Sequence, residues 1–141
     1  MATQITIFKS DIRHELYAES TNAARTYKRQ DGVSEFEEVV IDQQAQDSMA
    51  GVWAEAVARL TEKMHEFLEG TAIDGGQVTF TFRAASVPDL VRENILGYIV
   101  DWMMQAWLQY VRPDQRQQYI DRCTMQMDDL LRKLYKKEPP V

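Results

Sequence analysis

Two histidines in this chain stand three residues after a carboxylate, in Asp11-x-x-His14 and Glu62-x-x-His65. On a helix that spacing puts acid and imidazole on one face, and two such steps joined by two carboxylates from other helices make the ligand set of a di-iron bundle. Glu93, Asp101, Asp121 and Asp128 could supply the carboxylates. The helical wheel argues against the site. Asp11 falls in a first turn, where a carboxylate already favours the positive end of the helix dipole, and His14 points well away from Ile12 and Leu16. His65 sits at the margin of its helix's apolar stripe. Both imidazoles are expected in solvent, with no metal, no cofactor and no catalytic residue.

Other chemical signals are equally thin. His14-Glu15-Leu16-Tyr17-Ala18 opens like a zinc-protease motif but lacks the second histidine. Asp74-Gly75-Gly76 is too short to cradle a phosphate or calcium ion and suits a tight turn. Cys123 falls on an apolar helical face with no histidine nearby in sequence, which favours a small buried hydrophobe over a nucleophile. Met103, Met104, Met125 and Met127 could form an adaptable binding groove, although filling gaps in a helical core is the commoner use. Arg132, Lys133, Lys136 and Lys137 suit the negative end of a helix.

The elements that must position these residues follow from periodicity. Ser10 can cap a helix from Asp11 to about Tyr27, stopped by Asp31-Gly32. Phe36 to Ile41 reads as a short strand or an extended connector. Asp42 can cap a second helix whose apolar residues, from Ala45 through Trp53 and Leu60 to Leu68, follow steps of three and four, with Gly70 as a left-handed cap. Gln77 to Arg83 alternates as a strand with Val78, Phe80 and Phe82 on one side; its pairing partner could be Thr3 to Phe8, Phe36 to Ile41, or another subunit. Ser86-Val87-Pro88-Asp89 opens a third helix that runs to about Val111. A fourth, from Pro113 or Asp114 to about Lys136, carries Tyr119, Cys123, Met127, Leu130 and Leu134 on one face. Pro139-Pro140 favours an extended tail over residues 136–141.

The third helix is the most telling. Asn94, Gly97, Asp101, Gln105 and Arg112 fall on one narrow stripe, and apolar side chains cover the rest. A surface helix needs an apolar arc of roughly 100°, and this one offers about twice that. It is therefore central in its own fold, or it meets another chain.

A length of 141 residues fits one domain with its own core, and 45% hydrophobic with 27% charged residues is an ordinary globular composition. The expected class is mainly α: a four-helix bundle with a long C-terminal helical hairpin and one or two short strands. Met1-Ala2-Thr3-Gln4 lacks the basic and apolar regions of a secretory leader, no span suits a bilayer, and a lone cysteine fits a reducing compartment. The net charge of -6 is uneven, since residues 31–69 hold ten of the acids and two of the bases. A sequence-specific DNA reader would carry a basic stripe instead.

The order of these parts resembles small head-to-tail connector, or adaptor, proteins of tailed phages and prophages. The resemblance rests on the helix with His14-Glu15-Leu16-Tyr17-Ala18, the acidic connector, the long helix ending near Leu68, the strand Val78 to Phe82, and the hairpin opened by Pro88. That hairpin carries Tyr98-Ile99-Val100, Trp107-Leu108, Tyr119 and Leu130-Leu131-Arg132-Lys133-Leu134-Tyr135 before Lys136-Lys137-Glu138-Pro139-Pro140. It implies a ring of identical subunits beneath the portal, in the virion neck after assembly in the host cytoplasm. The expected partners are copies of itself, portal and tail or stopper proteins, and passing DNA without sequence-specific binding; no membrane is expected. The expected interface residues are Trp102, Trp107, Tyr110, Phe80, Phe82, Lys136, Lys137, Pro139 and Pro140. A different class, a small acidic immunity- or antitoxin-like module, remains open because Glu35, Glu37, Glu38, Asp42 and Asp47 could cap a basic partner.

Overall fold

The computed structural model describes residues 3–26, 50–84 and 86–135. The expected strand or connector at Phe36 to Ile41, the Asp42 cap and the 136–141 tail lie outside these residues. In chain order the elements are β1 (Thr3–Phe8), α1 (Lys9–Thr26), α2 (Ala50–Lys63), a 3-10 turn (His65–Phe67), β2 (Leu68–Asp74), β3 (Gln77–Phe82), α3 (Leu90–Val111), a second 3-10 turn (Pro113–Gln115) and α4 (Gln117–Tyr135). The described residues are thus mostly helical, with four α-helices and a small antiparallel sheet.

The strand at Gln77 finds its partners inside the chain. The sheet order is β1-β3-β2, both pairs antiparallel, with Ile5 opposite Phe80, Ile7 opposite Val78 and Thr71 opposite Phe80. Of the candidate partners, Thr3 to Phe8 is therefore correct, and a second partner, β2, joins through Gly75-Gly76. Gly75 has φ of 52°, the left-handed conformation that glycine adopts at least cost. Because side chains alternate, one face of the sheet carries Ile7, Val78, Phe80 and Phe82 into the core. The other carries hydroxyls and amides: Thr6 and Thr79 share a hydrogen bond at 3.1 Å, and Gln4 Nε2 donates to Thr81 Oγ1 at 3.5 Å.

The strand β2 corrects the second helix. Regular helix ends at Lys63, a single 3-10 turn follows, and Leu68 is already in the sheet. Gly70 is no helix cap; it lies at the register shift of a β-bulge, and among the described residues Gly75 is the one glycine with positive φ. The apolar spacing of Met64, Phe67 and Leu68 survives this change because the 3-10 turn still carries all three onto the same core. Arg83 N–H donating to the Phe67 carbonyl at 2.9 Å ties the turn to the end of β3.

At the centre lies α3, which packs against α1, α2, α4 and β1. Most of its surplus apolar surface is therefore used within the chain: Val91, Ile95, Ile99, Met104 and Leu108 are fully buried, and Leu90 and Tyr110 at its two ends are exposed. Around it come Ile12 and Leu16 from α1, Ala56 and Leu60 from α2, and Tyr119, Cys123, Met127 and Leu130 from α4, the last four on the face expected of them. Each fully buried large side chain stabilises the fold by roughly 1.5–3 kcal/mol. Two local bonds, Val91 N–H to Pro88 and Arg92 N–H to Asp89, tighten the first turn of α3. Its end comes at Arg112, whose extended backbone with φ of -150° turns the chain into Pro113. No helix of the described residues is long and apolar enough to cross a membrane.

Candidate functional site

The polar stripe of α3 is buried. Asn94 and Asp101 are each 7% exposed and Gln105 is 4% exposed. A buried amide or carboxyl without partners costs several kcal/mol, so this stripe requires a matching one. It is supplied by α4, where Arg122, Gln126, Asp129 and Lys133 follow steps of four, three and four and so share a face.

The resulting seam can be followed atom by atom. Lys133 Nζ donates to Asn94 Oδ1 at 2.6 Å and to Asp129 Oδ2 at 2.8 Å. Asn94 Nδ2 donates to Gln126 Oε1 at 2.8 Å and to Asp129 Oδ2 at 3.1 Å. These bonds from Lys133, then Asn94, hold the Asp129 carboxyl below the usual carboxylate range. Gln126 lies over Gly97 and hydrogen-bonds Asp101. Farther along, Arg116 Nε donates to Gln105 Oε1 at 2.8 Å. From α1, Glu19 Oε1 accepts from Tyr119 Oη at 2.8 Å and from Arg122 Nη1 at 2.7 Å, which fastens α1 to α4.

Beside this fastening opens a groove of about 430 Å³, lined by Glu15 and Glu19 from α1, Glu93, Leu96, Gly97, Val100 and Asp101 from α3, and Arg122, Met125 and Gln126 from α4. Four carboxylates face one guanidinium that already serves Glu19. Burial pushes the Asp101 carboxyl up to about 7; Arg122 and the Gln126 hydrogen bond oppose the rise, and the Glu19 charge adds to it. Chemically the groove can hold a proton at Asp101 near neutral pH and present negative charge around a half-apolar floor.

A second cleft, of about 310 Å³, lies on the other side of α3 between α2 and α4. Arg59 stacks 4.3 Å over the Trp102 ring and its Nε donates to Tyr98 Oη at 3.3 Å. That hydrogen bond is the main cause of the raised Arg59 pKa. Tyr98 is raised too, by burial first. Cys123 forms part of the cleft wall. It is 5% exposed, and burial, with the Asp101 charge, pushes its thiol up to about 12, as expected of an inert buried hydrophobe.

Among the described residues, the expected interface residues are not brought together. Phe80 and Phe82 are 0% and 1% exposed, so they are core residues and not contact residues; the apolar face of β3 is covered by the chain's own helices. Trp102 and Trp107 are partly buried against the same core, and Tyr110 projects into solvent at 80% exposure. Lys136, Lys137, Pro139 and Pro140 lie outside the described residues. Asp11 pairs with Arg92 at 3.2 Å, His14 is exposed, and His65 Nδ1 lies 2.9 Å from the Glu62 carbonyl oxygen. Among the described residues no group of three or more His, Cys, Asp or Glu side chains is placed to hold a metal. Met103, Met104 and Met127 fill the core, and Met125 stands exposed at the groove.

No protein family, curated protein or solved structure matches this chain. The residues that sequence reasoning missed are Glu19, Arg122, Gln126 and Asp129, together with Lys133, which reaches into the seam instead of only ending a helix. For the four on α4 the signal was their polar spacing, which mirrors the stripe on α3; Glu19, on α1, had no such signal.

Proposed function

We propose that this chain is a structural subunit of a phage or prophage particle, a head-to-tail connector that forms a ring below the portal and binds portal or tail proteins. In this reading the four helices work as a bundle, and α3 with α4 is a C-terminal hairpin that acts as its rigid arm. The observation that carries the reading is the outward apolar surface left on that arm after its core is filled. Leu90 is 61% exposed, Tyr110 80%, and Met125 69%, on parts of the arm far apart along the chain. Exposed apolar side chains at separate places suit heterologous contacts, which generate rings when the rotation closes. The polar seam supports it as well, because buried hydrogen-bonded groups fix one register between two helices. The net charge of -6 would let DNA pass without accumulating phosphate contacts.

Electron microscopy of virions from the source phage or induced prophage tests the proposal. Copies of this chain in a closed ring at the neck are expected, and their absence there overturns it. The acidic groove favours a second reading, an immunity- or antitoxin-like module that caps a basic protein. Gene neighbours separate the two: portal and capsid genes accompany a connector, a toxin gene accompanies an antitoxin.

A further inference from the structure

The fastening of α1 to α4 depends on a guanidinium with two claimants. Arg122 gives its ion pair to Glu19 at 2.7 Å, and its charge also acts on Asp101 across the groove. Glu19 accepts from Tyr119 Oη through the same oxygen, so one carboxylate oxygen holds both α4 donors. Asp101 is almost entirely buried on α3, one helical turn from Gly97, and its described hydrogen bond comes from the neutral Gln126 amide. An ionised carboxylate in that position needs a cation, and a protonated one does not.

We propose that Arg122 is a proton-governed clasp: with Asp101 protonated it holds Glu19 and ties α1 to α4, and with Asp101 ionised it is drawn toward α3, which leaves Glu19 to Tyr119 alone and loosens α1. The step moves a single proton between the Asp101 carboxyl and solvent through the open groove. Among the described residues, the charged groups facing Asp101 are few. From α1 come Glu15 and Glu19, from α3 itself Glu93 at the mouth of the groove, and from α4 Arg122, with the neutral Cys123 thiol and Tyr119 phenol behind it. Toward α2 the chain presents Arg59 on Trp102, on the opposite side of α3. With Asp101 itself, four acids surround one base, so every added negative charge competes for Arg122, which gives the clasp its direction. Burial, the largest influence on the Asp101 carboxyl, brings its proton exchange up to about 7, so the clasp switches around neutral pH.

The test reads α1 and Asp101 separately in the full chain. Carboxyl ¹³C shifts follow the proton on Asp101, and amide hydrogen exchange, corrected for its intrinsic pH dependence, follows the helix over residues 16–23. Protection of α1 is expected to fall about tenfold between about pH 6 and pH 8, with the same midpoint as the Asp101 carboxyl. Asp101→Asn, which keeps a side chain able to bond Gln126, should abolish the step and leave α1 protected throughout. Glu19→Gln should leave α1 weakly protected at every pH and move the Asp101 midpoint downward, because a like charge is gone and Arg122 is freed. An Asp101 midpoint in the ordinary carboxylate range overturns the clasp. So does α1 protection that ignores the midpoint, or a step that persists in Asp101→Asn.

Discussion

Gly97 on α3 and Gln126 on α4 are in such close approach that a Cβ at residue 97 would lie 2.6 Å from Gln126 Nε2 and 2.9 Å from its Cδ. Glycine in the middle of a helix costs about 1 kcal/mol relative to alanine, so its presence there has to be offset by what it admits. It admits the Gln126 amide, which joins Asn94 to Asp101.

Gly97→Ala should therefore bring no net gain and at most about 1 kcal/mol of loss, as the gain in helix propensity is offset by the displaced amide's part-buried hydrogen bonding. In a Gln126→Ala background the same change should stabilise by about 0.5–1 kcal/mol, because the obstacle is gone and only the propensity gain remains. Urea denaturation of the four proteins in this cycle measures the coupling. A Gly97→Ala effect of the same sign and size in both backgrounds would contradict the close approach.

The stability of the protein should fall as pH rises through the slightly acid range. Asp101 keeps its proton in the folded chain up to about 7, whereas the unfolded carboxyl ionises near the ordinary value of about 4. Between those values the folded state binds more protons, so ΔG of unfolding decreases with pH and levels off above about 7. The full shift corresponds to at most about 4 kcal/mol. Asp129, held below the usual range by Lys133 and Asn94, acts with the opposite sign, and its contribution is lost as pH falls into the acid range. Guanidinium unfolding at about pH 5 and pH 8 should show the decline, and Asp101→Asn should flatten it.

Two aromatic substitutions separate core from contact surface. Phe80→Ala should cost about 3–5 kcal/mol, because the ring is fully buried at the centre of the sheet. Tyr110→Ala should change stability by less than about 0.5 kcal/mol, because the side chain is mostly in water. If the chain builds a ring, Tyr110→Ala should instead impair incorporation into particles. Thermal unfolding together with a particle-incorporation assay distinguishes the two effects.

The turn between β2 and β3 has one demanding position. Gly75→Ala should destabilise by about 1–2 kcal/mol, since alanine resists a φ of 52°. Gly76→Ala, with negative φ and open space around its Cβ, should stay within about 0.5 kcal/mol. Equal losses from the two changes, measured by urea denaturation, would contradict this turn geometry.

What the sequence made legible was what repeats at short range. The face Tyr119, Cys123, Met127 and Leu130 could be read from helical spacing, as could α3 and its borders, because many residues vote for one period. The strand β2 could not be read, because Leu68–Asp74 is an edge strand with only Leu68 buried, so no alternation marks it. Its existence depends on β3 beside it. The groove shows a similar gap: Asn94, Asp101 and Gln105 announced a stripe, but its direction depends on Gln126, Lys133 and Arg116, which lie 32, 39 and 11 residues away from their partners. Spacing along one helix carries no information about which neighbour lies across from it.

Cys123 should be silent toward thiol reagents until the protein opens. Its side chain is 5% exposed, wedged against the Tyr98 carbonyl oxygen at 4.0 Å, and its thiol is pushed up to about 12, so the nucleophilic thiolate is scarce at neutral pH. Labelling by Ellman's reagent should therefore proceed through unfolding or subglobal opening, at a rate set by the free energy of that opening. Adding denaturant below the transition should accelerate the reaction in proportion to the growing open population. Tyr119→Phe removes the phenol that Glu19 accepts from and should speed labelling several-fold by loosening α4, if breaking that hydrogen bond costs about 1 kcal/mol. Stoichiometric labelling of the native protein within the time of a free cysteine would show the thiol to be accessible and overturn its place in the core.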